Sequence, residues 1–252
     1  MKNNTDFKDL IRIEISNTKV IAIFVAALLF YTTAVILWKQ NTVDNNIVIH
    51  FNYVYENEMH LNLIKMLSHF GMSLITAFYA LFVFLFFRKE DHKNERPLFL
   101  LILISFALGG IGGDLLKEIL DKARPIITLS EQIAIKNINE TPAFPSGHAT
   151  KSMALALPFL LFALRKNIIT IIFKILVFTA ASLVCYSRIA LQAHFLSDVL
   201  AGLGTALFFI PFSILFVNFL YRRNKVNMDK LNLMSKRYIF IFIGLTVILY
   251  LI

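Results

Sequence analysis

Long apolar runs recur along this chain, separated by gaps too short to hold a globular unit of their own. They cover Val20–Trp38, Phe70–Phe87, Leu98–Leu116, Ala149–Leu164, Ile168–Tyr186 and about Leu196–Tyr221. A helix needs about 20 predominantly apolar residues to cross the hydrocarbon of a bilayer. The chain has 252 residues, 58% of them hydrophobic and only 16% charged, with a mean hydropathy of +0.69, which excludes an ordinary soluble domain. The expected fold is all-α: a polytopic bundle of six core transmembrane helices in one integral domain over residues 1–252. A closing run, Tyr238–Ile252, is short for a span and is expected to cross as a seventh.

The segments between the runs carry their own signals. Residues 1–19 interleave Lys2, Lys8, Arg12 and Lys19 with Phe7, Leu10, Ile11 and Ile15, the pattern of either an amphipathic surface segment or a solvated tail. The first run is read as an uncleaved span, because no convincing small-residue cleavage site follows it. Residues 39–69 mix Asn, Asp and Glu with Phe51, Tyr53 and Tyr55 and are expected to skim the interface. The glycines at 109, 110, 112 and 113 predict close helix packing, with a ligand pocket as the alternative. Gly202, Gly204 and Pro211 fall in the sixth run, and the single cysteine, Cys185, in the fifth, where it forms no intrachain disulfide.

Charge gives an orientation. With a cytoplasmic N-terminus, the inner segments hold the four basic residues of the tail, Arg88, Lys89, Lys93, Arg96, Arg165, Lys166 and the six of residues 222–237. That is sixteen of the twenty-five basic residues, as the positive-inside rule requires. The net charge of +9 is split among these short clusters instead of forming one basic face, so nucleic acid is not an expected partner. The outer positives, among them Lys117, Lys122, Arg124, Lys151 and Arg188, stand against the rule and need a reason.

Three polar stretches meet on that outer side: K-E-I-L-D-K-A-R-P at Lys117–Pro125, P-S-G-H at Pro145–His148, and S-R-I-A-L-Q-A-H-F-L-S-D at Ser187–Asp198. Ionisable groups beside hydrocarbon are costly and tend to mark sites that use them. Phosphoryl transfer needs cations on the equatorial oxygens, which Lys117, Arg124 and Arg188 supply. Ser146 suits an N-cap, and Gly147 leaves the backbone N–H groups of a helix N-terminus open to phosphate. His148 beside that cradle can protonate a leaving oxygen. His194, four residues before Asp198, has an oriented imidazole that can act as nucleophile.

Ordinary alternatives exist for each part. The lysines can snorkel, P-S-G-H can be a capped turn, and the His-Asp pair can be structural; a metal held by His148, His194 and Asp198 is a further possibility, opposed by three nearby cations.

Taken together, K-x6-R-P, P-S-G-H and S-R-x5-H-x3-D resemble in full the three-part signature of the type 2 phosphatidic acid phosphatase family, relatives of the vanadium haloperoxidases. The resemblance implies a membrane lipid phosphatase that needs no metal or other cofactor. His194 would form a phosphohistidine, Asp198 would orient it, and His148 would serve as acid and then base. Lys117, Arg124, Ser146, Gly147 and Arg188 would hold the phosphate. The substrates implied are phosphatidic acid, phosphatidylglycerophosphate, undecaprenyl diphosphate, lipid A phosphates and sphingoid phosphates. The signature lies within a core of about residues 70–221.

A site at the outer ends of spans favours a lipid phosphate drawn from the bilayer over a soluble ester, and so a location at the outer face of a cytoplasmic membrane. The Asn-, Ile- and Lys-rich composition looks like that of a bacterial chain. The twenty residues between Arg124 and Pro145 are expected to form a small interfacial helix over the site, and the sequon Asn139-Glu140-Thr141, followed by Pro142, is expected to be silent. Two competing functions share these residues: a phosphotransferase with a second lipid as acceptor, and a non-catalytic lipid-phosphate transporter.

Overall fold

The computed structural model describes residue 13 and residues 15–86, 96–135, 141–163, 167–223 and 228–251. Among them the regular structure is helical throughout. Among the described residues five helices are long and apolar enough to cross a membrane: α1 (Asn17–Gln40), α4 (Glu58–Phe86), α5 (Arg96–Leu120), α8 (Ile168–Ala190) and α9 (Leu196–Arg222). The protein is thus a multi-pass membrane protein. Five of the six expected core spans meet that length and apolarity; the expected fourth falls on α7 (Gly147–Phe162), which has 16 residues, slightly short of the usual length of a span.

That short helix is the centre of the molecule. It packs against α5, α8 and α9, and most of its residues from Ala149 to Phe159 are buried. α1 lies along α9, α4 along α8, and α10 (Met228–Leu251) along α4. A ladder of rings fills the core at the end opposite the polar stretches: Tyr79 meets Phe99, Phe159 and Phe242 at centroid distances of 5.9, 5.5 and 5.4 Å, and its hydroxyl donates to the Leu155 carbonyl at 2.6 Å. Each such ring pair adds about 0.5–1.5 kcal/mol beyond the area it buries.

Glycines permit the close approach of the central helix. At Gly202 on α9 a Cβ would lie 2.9 Å from the Ala149 Cβ and 3.0 Å from the Ser146 carbonyl oxygen. At Gly112 on α5 it would fall 2.0 Å from the Phe209 ring. Both contacts are tighter than any side chain allows, so the packing expectation for the 109–113 glycines holds at Gly112.

Several boundaries differ from the sequence reading. The segment at 39–69 does not merely skim the interface: it holds α2 (Thr42–His50), α3 (Tyr53–Glu56) and the first three turns of α4. Asn57 caps that helix, its Oδ1 accepting from the N–H groups of Met59 and His60 at 3.0 and 3.2 Å. Glu58, His60, Asn62 and Lys65 lower the hydropathy of these turns, so the apolar run starts late. α10 begins ten residues before Tyr238 for the same reason, and its apolar part spans Arg237–Leu249. The expected interfacial helix after Arg124 is a single turn, α6 (Pro125–Thr128), followed by turns whose Leu129 and Ile133 bury against Val48 and Phe195. Most of the basic N-terminal tail and Asn139-Glu140 lie outside the described residues.

Candidate active site

The C-terminal ends of α5 and α8 meet the N-terminal ends of α7 and α9, which brings the three polar stretches together. His194 lies in the turn from α8 into α9 and is 1% exposed. That turn needs a left-handed residue, Gln192 (φ 55°), a conformation that costs a non-glycine residue about 1–2 kcal/mol. Its side chain overdetermines the turn. The amide oxygen accepts from the N–H groups of Ala134 and Ile135 at 3.1 and 3.2 Å, and the amide nitrogen donates to Asn52 Oδ1 at 2.7 Å and to the Val48 carbonyl at 3.0 Å.

The two ring nitrogens of His194 face different groups. Nδ1 is 3.5 Å from Asp198 Oδ2, an ion-pair distance without hydrogen-bond geometry, and Nε2 is 3.4 Å from Arg124 Nη1. With Nδ1 turned to the carboxylate, Nε2 is the nitrogen left for chemistry. Burial pulls the His194 pKa down to about 4 against the opposing pull of Asp198, with Arg188 and Arg124 adding to the effect of burial. The imidazole is neutral at pH 7, as a nucleophile requires.

Asp198, at the third position of α9, is fully buried. Its Oδ2 accepts from the Phe195 N–H at 2.9 Å, which caps the helix, and its Oδ1 accepts from Lys122 Nζ at 2.7 Å. Lys122 donates further to Ser197 Oγ at 2.6 Å, lies 3.7 Å from Asp44 Oδ2, and sits against the Phe195, Trp38 and Phe144 rings at 4.5, 5.3 and 5.7 Å. Asp44, from α2, accepts from the Ser197 N–H at 3.0 Å and from the Ser197 hydroxyl. A buried array of carboxylate, ammonium and carboxylate thus backs the imidazole. Sequence alone marks Lys122 only as an outer cation and does not point to Asp44, Ser197 or Gln192.

Ser146 holds the N-cap position of α7, but its hydroxyl makes no capping bond. That Oγ is buried with no hydrogen-bond partner among the described residues, and so is available to a ligand. The Ser146 N–H donates to the Asp198 carbonyl at 2.9 Å, tying P-S-G-H to α9. A Cβ at Gly147 would lie 3.6 Å from Lys117 Nζ, so the ammonium stands directly in front of the helix N-terminus. Arg188 donates from Nη1 to Ser68 Oγ at 2.5 Å, while its Nε is buried without a partner. Arg124 is held by Thr141, donating from Nε to the carbonyl at 2.7 Å and from Nη2 to the hydroxyl at 2.8 Å.

A cavity of about 510 Å³ opens onto this site. Its polar end is lined by His148, His194, Lys117, Arg124, Arg188 and Gly147, and its walls by apolar residues of α4, α5 and α10. Of the eight residues expected at the site, six line the cavity; Ser146 is buried beside Gly147, and Asp198 lies against His194. Both Asp198 oxygens are taken by protein donors, which does not suit the alternative in which it would share a metal with the two histidines; among the described residues no cluster of His, Cys, Asp or Glu suits a metal ion.

A family model described as the PAP2 superfamily matches residues 98–223. Among solved structures, the chain resembles a protein from Bacillus subtilis described as the first transmembrane PAP2 type phosphatidylglycerolphosphate phosphatase. The two are 21% identical with a TM-score of 0.55, over 82% of this chain and 96% of the other. No curated protein matches the chain.

Proposed function

We propose, from the premise that the chain belongs to the PAP2 superfamily, that it hydrolyses a membrane lipid phosphate through a covalent phosphohistidine. The observation that carries this reading is the placement of His194, with Nδ1 against Asp198 and Nε2 facing the cavity that His148 also lines.

His194 Nε2 attacks phosphorus as the bond to the lipid oxygen breaks; burial, and then Arg188 and the other neighbouring cations, hold the His148 pKa down to about 3, so His148 takes up its proton once the negative phosphate is bound beside it and gives that proton to the lipid oxygen. Asp198 stabilises the charge that the His194 ring then carries. Neutral His148 next takes a proton from water as the water oxygen attacks phosphorus; the P–N bond breaks, inorganic phosphate leaves, and both rings return to their starting states. Lys117, Arg124 and Arg188 neutralise the equatorial oxygens, with Ser146 Oγ and the N–H groups at Gly147 completing the cradle. No step requires a metal or other cofactor.

The apolar walls of the cavity favour a lipid over a soluble ester. The candidates are phosphatidylglycerophosphate, undecaprenyl diphosphate, phosphatidic acid and lipid A 1-phosphate, and the fold likeness to a protein described as a phosphatidylglycerolphosphate phosphatase supports the first. The positive-inside distribution favours a site on the outer face of a bacterial cytoplasmic membrane. The test is phosphate release by the purified protein in detergent with EDTA present. Release is expected to persist in the chelator and to vanish in His194→Ala; loss of release on chelation would contradict the reading.

A further inference from the structure

The cavity holds more cations than one phosphate uses. Lys117, Arg124 and Arg188 surround the reacting group, yet a fourth, Lys151, lines the same cavity. It belongs to none of the three signature stretches. Lys151 follows His148 by three residues on α7, so the two lie on one face with Cβ atoms about 5–6 Å apart. Its stem crosses α5 at Gly110, where a Cβ would approach Lys151 Cε to 3.3 Å; a side chain there would push the lysine aside. Its ammonium is 3.9 Å from Asp114 Oδ2. That distance is too long for a hydrogen bond, so the carboxylate steadies the charge without taking a hydrogen bond from it.

The position of this pair relative to the chemistry decides its meaning. His148 gives its proton to the leaving oxygen, so the leaving group lies on the His148 side of the phosphorus. Lys151 is one turn farther along α7 and lines the same cavity as the apolar residues Met72, Phe106, Ile111, Leu245, Ile248 and Leu249. Its side chain is 36% exposed and that of Asp114 60% exposed, so the ammonium is open to a ligand in the cavity. Phosphatidic acid would offer it only ester oxygens. A lipid with a second phosphate between the leaving oxygen and its hydrocarbon would offer it an anion.

We propose that Lys151, steadied by Asp114, is a second phosphate subsite that selects lipids carrying two phosphate groups, whether as a diphosphate or as a phosphodiester with a terminal phosphate. The proposal rests on the phosphatase reading above and adds the choice of substrate. It assigns Lys151 to binding of the leaving group, with no part in proton transfer.

The experiment measures kcat/KM for phosphate release by full-length protein in detergent from phosphatidylglycerophosphate, undecaprenyl diphosphate and phosphatidic acid, for wild type and for Lys151→Gln. Losing a charge-assisted contact is expected to lower the preference for two-phosphate lipids over phosphatidic acid by about tenfold. Lys151→Arg is expected to retain most of that preference. Equal losses on all three lipids, or an unchanged preference, would overturn the subsite and leave the phosphatase reading intact. Wild-type protein that releases phosphate from none of them would overturn both, which separates the two failures.

Discussion

His194 does its work through residues on both sides of it. Because its pKa is held near 4, protonation below that value removes the nucleophile. Activity is therefore expected to be lost as pH falls through about 4, and a pH profile of kcat/KM for the free enzyme would read this acid limb directly. Arg188→Lys should lower kcat/KM by about 10- to 100-fold, since a point charge cannot reproduce the planar fork that holds Ser68 and keeps Nε free for phosphate. Lys122→Met would leave Asp44 and Asp198 buried without their cation, a loss of about 3–5 kcal/mol visible as a lower midpoint in thermal unfolding; adding Asp44→Asn should recover part of it. The signature residues were legible because their types and spacing are fixed by chemistry on one phosphate. The array behind them was not: Asp44 and Ser197 are 153 residues apart, and nothing local to either marks the partner.

At the scale of elements, hydropathy located the core of each spanning helix but not its polar end. α4 continues three turns beyond its apolar run and α10 nearly three, because turns at a membrane interface carry charges without ceasing to be helical. The expected fourth span falls on α7, whose 16 residues are enclosed by α5, α8 and α9. The interfacial helix expected after Arg124 failed because Leu129 and Ile133 bury in turns against α2 and Phe195. Gly202 is where an element sets the chemistry, since it lets the α7 N-terminus, with Ser146 and His148, touch the α9 turn that bears His194. Gly202→Ala must move these helices apart and is expected to reduce kcat at least tenfold. Gly244→Ala, where nothing lies within 4 Å of the added methyl, should leave both activity and folding unchanged, and parallel assays of the two variants would show whether the close approach matters.

For the whole molecule, the arrangement joins a buried catalytic array to an apolar wall within one multi-pass bundle. The ends of α5, α7, α8 and α9 that carry it lie on the side opposite the basic segment at residues 222–223, which places the site outside if that segment is cytoplasmic. A single cysteine at Lys39, in a Cys185→Ser background, should then react with a membrane-impermeant maleimide in intact cells, while one at Arg222 should not; the reverse pattern would invert the topology. The central claim concerns His194 itself, and it can be tested by acid-free rapid quenching of full-length protein with lipid radiolabelled in its terminal phosphate. The account predicts an acid-labile, alkali-stable label that maps to the peptide containing His194 and is missing in His194→Ala. Turnover without such a label, or a label that survives the substitution, would contradict it.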